Sequence, residues 1–169
     1  MKIYCLYGHG KETERSYYYR DDVEIPSEEV RDCLDANSTC SEESIRTRRS
    51  AIDISVNFVN STPKVRSGVL FGEGDGTVSL LSLGAMCVEG WKRDRYNPSR
   101  IPVITHELKH DPTAFDPRGG DKSSDHVDVL GNSELNEAIL DIASGHGDRV
   151  KDQFFSNIKQ YASKIEWDS

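Results

Sequence analysis

Between Ser67 and Trp91 the chain reads SGVLFGEGDGTVSLLSLGAMCVEGW. A short apolar run ends in Gly-Glu-Gly-Asp-Gly, and a mostly apolar stretch of helical length follows. A strand that turns sharply into a helix is a unit of α/β architecture, so this junction constrains the fold more than any other stretch. The rest of the chain agrees with it. Residues 2–7 read as a buried strand and SYYYR (Ser16 to Arg20) as a second short one. AIDISVNF alternates Ile52, Ile54, Val56 and Phe58 against polar partners, the period of a half-buried strand. A helix is predicted from just after Thr77 towards Trp91, and IPVITHEL is a β-branched strand entered through Pro102. A further helix starts near Ser133, with Glu134 and Glu137 at its positive end and Leu135, Ile139 and Ile142 on one face. It ends at Gly145-His146-Gly147. A last helix carries Val150, Phe154, Ile158, Tyr161 and Ile165 at spacings of three and four. Strands alternate with helices, the class is α/β, and no internal repeat is present.

A chain of 169 residues suits one domain with a real core. Hydrophobic residues make up 36% and charged residues 30%, so much of the chain must be exposed loop. From Asp21 to Arg49 it is charged, serine-rich and without hydrophobic period, which reads as a surface insertion. A net charge of −8, with no basic and aromatic patch to offset it, argues against nucleic acid as a partner. No apolar run is long enough to span a membrane, and Met1 leads into strand-like KIYCLYG rather than a signal peptide. The four cysteines, Cys5, Cys33, Cys40 and Cys87, show no zinc-type pairing. Two N-glycosylation sequons, at Asn37 and Asn60, stand beside them and point to an oxidising lumen. A Cys33–Cys40 bridge would close a small hydrophilic loop, worth roughly 2.5 kcal/mol in the chain-entropy model. Four free thiols in a reducing compartment are the alternative.

Two motifs carry possible chemistry. HELKH (His106 to His110) satisfies H-E-x-x-H, a zinc-protease pattern that needs both histidines on adjacent helical turns. Here β-branched residues precede it and Asp111-Pro112 follows. On a strand the two imidazoles would stand about 13 Å apart, against about 6 Å on a helix. Glu134 or Glu137 could serve as a third ligand, but the strand spacing makes HELKH read as a chance match. GEGDGTV lacks the further acids of an EF-hand and the lysine of a phosphate loop. Alone, Asp75 fits a turn or a helix cap. The other reading is a triad acid, which in an α/β-hydrolase sits on a loop after a strand, with its histidine later in the chain. His126, between the Gly119-Gly120 loop and the helix at Ser133, stands where such a histidine should. A surface histidine would look the same in isolation.

The segments MKIYCLYGHGKETERSYYYR, GEGDGTVSLLSLGAMC, GWKRDRYNPSRI and FDPRGGDKSSDHVDVLGNSELNEAIL closely resemble the C-terminal part of the phospholipid:diacylglycerol acyltransferases of the lecithin:cholesterol acyltransferase family. The likeness spares only the 21–49 insertion. It implies the C-terminal part of an α/β-hydrolase fold, an incomplete sheet flanked by helices. It implies a serine acyltransferase of the endoplasmic reticulum that uses a phospholipid donor and a diacylglycerol acceptor, without metal or coenzyme. Asp75 matches the triad acid, His126 the base, and Cys5 with Cys87 the family's disulfide pair. The nucleophile belongs in G-x-S-x-G, and no such pentapeptide occurs here. The expectation is therefore a segment with the acid–base half of a site. The serine and the membrane anchor would lie in an N-terminal part absent from this chain, which by itself should be inactive and expose apolar surface. A non-catalytic, glycosylated lumenal domain that binds lipid or a partner chain is the competing expectation.

Overall fold

The computed structural model describes residues 1–20, 51–58, 60, 64–116 and 119–167. The expected insertion at 21–49, the Cys33–Cys40 pair and the Asn37 sequon lie outside them. The chain divides into two compact units, Met1–Arg15 with Phe71–Ser169, and Ser16–Leu70.

The larger unit is organised by a parallel pair, β1 (Ile3–His9) and β7 (Val103–Lys109), in register from Ile3 opposite Val103 to His9 opposite Lys109. Parallel strands need a crossover, and the helix α1 (Leu80–Val88) falls within it. Cys5 and Tyr7 on one face of β1 meet Leu80, Ala85, Cys87 and Val88 of α1 and Ile158 and Ala162 of α3 (Ile158–Ala162), forming the core. β2 (Lys11–Tyr17) leaves the end of β1 at Gly10, and its neighbour β6 (Val69–Gly74) leads into Asp75. The helix α2 (Ser133–Ala143) starts where Asn132 caps it, the side-chain oxygen accepting the Leu135 N–H at 3.1 Å. Leu135 and Ala138 are its buried residues. Ile139, expected on the buried face, is half exposed.

Four element boundaries expected from the sequence are corrected. The last helix spans only Ile158–Ala162 instead of starting near Val150. Residues before it run beside β7, with Gln153 N–H donating to Thr105 O and Gln153 O accepting from Glu107 N–H. Phe155 and Ser156 then give their N–H groups to the Glu107 carboxylate. Those donors are unavailable to a helical ladder, so β7 overrides the 3.6-residue period. α1 begins at Leu80 rather than just after Thr77, because Val78 O is taken by the Asp75 N–H and Ser79 is still extended, with ψ 147°.

The smaller unit holds the third correction. AIDISVNF is a strand only at β4 (Ala51–Ile52), paired antiparallel with β3 (Tyr19–Arg20). Asp53 ends it by accepting from the Ser55 N–H at 3.1 Å and the Ser55 hydroxyl at 2.6 Å, a local turn that the alternation of apolar residues concealed. Ile54 is consequently exposed. Phe58 bridges Val65 of β5 (Val65–Arg66), which turns back into the start of β6. The expected strand at 16–20 is likewise redistributed between the end of β2 and β3.

Candidate active site

β6 delivers Asp75 to a turn that the acid itself ties. Oδ1 accepts the N–H groups of Thr77 at 3.0 Å and Val78 at 2.7 Å, and the Asp75 N–H donates to Val78 O. Gly76 inside this turn has φ +95°, a conformation that residues with a Cβ seldom adopt. The turn spends only one carboxylate oxygen. The second, Oδ2, lies 2.8 Å from Nδ1 of His126. One oxygen thus makes the turn read from the sequence, and the other meets the histidine expected as its partner. Asp75 is only 4% exposed, and burial pushes its pKa up. The Val78 N–H, the His126 ring and the Thr77 N–H outweigh burial and hold it below the usual carboxylate value, so it is an anion facing the imidazole.

His126 arrives from the other side. After β7 the chain doubles back, and the Ser124 N–H donates to Nδ1 of His110 at 3.1 Å while the Ser124 hydroxyl donates to Lys109 O. A Cβ on Gly8 of β1 would run into the Ser124 carbonyl, so glycine is what lets the loop lie this close. The His126 backbone N–H then donates to Asp75 O at 2.9 Å. Backbone and side chain of His126 are thus tied to the same residue. With an anionic carboxylate at Nδ1, that nitrogen carries the proton and Nε2 is left as the acceptor. Nε2 has no hydrogen-bond partner among the described residues, and the side chain is 43% exposed. Val127 and Leu130, next along the chain, are 66% and 72% exposed. The arrangement can take a proton from a hydroxyl presented at Nε2, beside apolar surface.

The remaining predicted residues fall as follows. Cys5 and Cys87 form a disulfide between β1 and α1, with Cα atoms 6.3 Å apart. Asn60 is exposed. HELKH lies on β7 and its continuation, not on a helix. His106 is engaged at both ring nitrogens, by Lys151 O at 3.0 Å and by Glu134 at 2.9 Å. Glu134, weighed as a third zinc ligand, instead takes this histidine and the Gln153 amide. Glu73, the other acid of GEGDGTV, meets Nδ1 of His9 at 2.9 Å. Burial and the neighbouring Lys11 charge hold the His110 pKa down, against Asp111 and Asp128.

Sequence reasoning missed Glu107. It faces away from His106, as strand neighbours must, and is fully buried. Its carboxylate accepts from the Tyr7 hydroxyl at 3.0 Å, the Ser156 hydroxyl at 2.5 Å, and the N–H groups of Phe155 and Ser156 at 2.5 and 2.7 Å. Burial raises its pKa, but these bonds prevail and leave it below the usual value; burial and the Glu107 charge push Tyr7 strongly up. The signal available in the sequence was an acid inside a β-branched strand, which has to find donors when buried.

Glu107→Gln is expected to cost about 2–3 kcal/mol, because an amide turns a donor towards groups that all donate. The pH dependence follows from the lowered pKa. The unfolded chain binds this proton more readily than the folded one, so the stabilisation is complete above the ordinary value of 4.5 and fades as pH falls through the lower folded value. Urea midpoints at neutral pH and near pH 3 should differ by less in Glu107→Gln than in the unaltered chain.

The family model described as lecithin:cholesterol acyltransferase matches residues 1–133. The chain is 40% identical over 168 residues to a phospholipid:diacylglycerol acyltransferase of Schizosaccharomyces pombe, which covers 99% of this chain and 22% of that protein. It is 38% identical over 167 residues to the phospholipid:diacylglycerol acyltransferase of Saccharomyces cerevisiae (98% of this chain, 21% of that one). With phospholipid:diacylglycerol acyltransferase 1 of Arabidopsis thaliana it shares 33% over 170 residues (98% and 22%). The chain thus spans about a fifth of the length of these curated relatives. No solved structure matches it.

Proposed function

The chain belongs to the lecithin:cholesterol acyltransferase family, and on that premise we propose that it is the acid–base segment of a serine acyltransferase acting from phospholipid to diacylglycerol. The observation that carries this reading is the 2.8 Å Asp75–His126 bond, which leaves Nε2 as the acceptor on a partly exposed ring. Nε2 takes the proton of a serine hydroxyl supplied by another part of the protein as that oxygen attacks the phospholipid ester carbonyl. The imidazolium then returns the proton to the departing lysophospholipid oxygen, leaving an acyl-serine. The diacylglycerol hydroxyl next gives its proton to Nε2 as it attacks the acyl-serine, and that proton returns to the serine oxygen when triacylglycerol leaves. Asp75 stays ionised throughout, fixing the tautomer and steadying each imidazolium.

A larger sheet is supported by the edge of β1. Ile3 N–H donates to Pro102 O and His9 O accepts from His110 N–H, so the odd-numbered residues of β1 spend their backbone groups on β7. Tyr4, Leu6 and Gly8 turn theirs the other way, and among the described residues no strand pairs with that edge. Such an edge fits the C-terminal part of an α/β-hydrolase whose other strands, serine included, lie elsewhere in the protein. Among the described residues no helix is long and apolar enough to cross a membrane. The Cys5–Cys87 bridge and the exposed Asn60 support a lumenal setting in the endoplasmic reticulum, with glycosylation at Asn60 and Asn37.

The experiment is a chimaera, in which these 169 residues replace the matching segment of the S. pombe relative. The chimaera is expected to form triacylglycerol and lysophospholipid, and the 169-residue chain alone to form neither. A chimaera that folds, retains the relative's serine and transfers nothing would refute the proposal.

A further inference from the structure

We propose that Thr13 and the Lys11–Asp125 ion pair are positioning residues for Asp75 and His126, a brace formed by the first residues of β2. The inference rests on the acid–base assignment above and adds what holds the pair in register.

The acid's turn has one backbone donor it cannot satisfy locally. Asp75, Thr77 and Val78 N–H groups all find partners inside the turn, but the positive φ of Gly76 aims its N–H outward. That N–H donates to Oγ1 of Thr13 at 2.8 Å, across 63 positions of sequence. The Thr13 hydroxyl in turn donates to Lys11 O at 3.2 Å. Thr13 is 1% exposed, so no water substitutes easily for either bond. It also has no room to slide, since a Cβ on Gly74 would approach Oγ1 to 2.5 Å.

Lys11 reaches the other half of the pair. Its backbone bridges Asp75, and its stem lies on Gly76, where an added Cβ would stand 2.9 Å from Cδ. Its ammonium contacts the carboxylate of Asp125, the residue before the histidine. Asp125 O also accepts the Val129 N–H at 2.8 Å, so the ion pair anchors the start of the turn that carries His126. Two residues of β2, Lys11 and Thr13, therefore hold both sides of a bond whose partners lie 51 positions apart. A shift of about 1 Å between acid and base is enough to cost some 10²-fold in rate, which makes such a brace consequential.

The test is proton NMR of the 169-residue chain, following the low-field Nδ1–H of His126 and its exchange with water. Asp75→Asn identifies the signal by removing it, and tests the acid–base assignment independently of the brace. Thr13→Val is isosteric but has no hydroxyl, and should speed that exchange about fivefold, the factor for one ordinary hydrogen bond. Thr13→Ser should restore the unaltered rate, which a general loss of stability would not. Lys11→Met, at a partly exposed site that tolerates the change, should act in the same direction. If Asp75→Asn removes the signal while Thr13→Val and Lys11→Met leave its exchange unchanged, the brace is wrong and the pair stands. If Asp75→Asn changes nothing, the pair itself is wrong and the brace falls with it.

Discussion

Asp75→Asn, made in the S. pombe chimaera, is expected to lower kcat about 10⁴-fold with KM little changed. The substitution is selective for a reason visible in the site. Asparagine keeps a carbonyl oxygen, which can still accept from the Thr77 and Val78 N–H groups, so the turn survives. The other position becomes an NH₂, which cannot accept the proton on His126 Nδ1. The ring then turns its acceptor towards the amide and presents an N–H outward, the wrong tautomer for taking a proton from serine. His126→Ala should cost at least as much, because neither histidine of HELKH can stand in for it. His110 gives Nδ1 to Ser124, and His106 is held at both nitrogens. Initial rates across a range of donor concentrations, with circular dichroism and thermal melts to show intact folding, separate this outcome from simple unfolding. A variant of normal stability that keeps most of its kcat would mean that Asp75 is only a turn residue.

Removing the Cys5–Cys87 bridge should cost a large share of the chain's stability. The bridge joins β1 to α1 across 82 positions of sequence. In the chain-entropy model, releasing a loop of that length gives the unfolded chain about 4.5 kcal/mol. Domains of this size are stable by about 5–15 kcal/mol in all, so the loss consumes a large share. The cysteines also sit in the core beside Tyr7, Leu80 and Val88, so the joint Cys5→Ser, Cys87→Ser variant adds the cost of two buried hydroxyls. Reduction without substitution isolates the cross-link. Urea unfolding with and without reductant should shift by about 4 kcal/mol more in the unaltered chain than in the double variant, where only Cys33 and Cys40 are left to respond. Equal shifts in both would assign the effect to something other than this bridge.

How far the sequence could be read depended on whether a signal was local. The strand-to-helix junction at GEGDGTV was legible because glycines, a turn acid and an apolar run of helical length all lie within twenty residues. The place of His126 was legible because Gly119-Gly120 precedes it and a capped helix follows. Period alone misled in two places. Ile52, Ile54, Val56 and Phe58 alternate well, but Asp53 closes a turn on Ser55 and breaks the strand. Val150, Phe154 and Ile158 have helical spacing, but Glu107, some 48 positions earlier, captures the Phe155 and Ser156 N–H groups and holds the chain extended. Tertiary partners of this kind leave no mark in a window of sequence. The brace through Thr13 was invisible for the same reason, since an ordinary threonine in a polar run acquires its meaning only when Gly76 arrives beside it.

The claim that everything else depends on is that Asp75 works only through His126. The direct measurement is kcat/KM for Asp75→Ala, His126→Ala and the double variant in the chimaera, compared as a cycle. If the carboxylate acts by orienting and stabilising the imidazole, the double variant should be no slower than His126→Ala alone. Losses that multiply, each residue costing its full factor in the absence of the other, would show that the two groups act separately and would contradict the account.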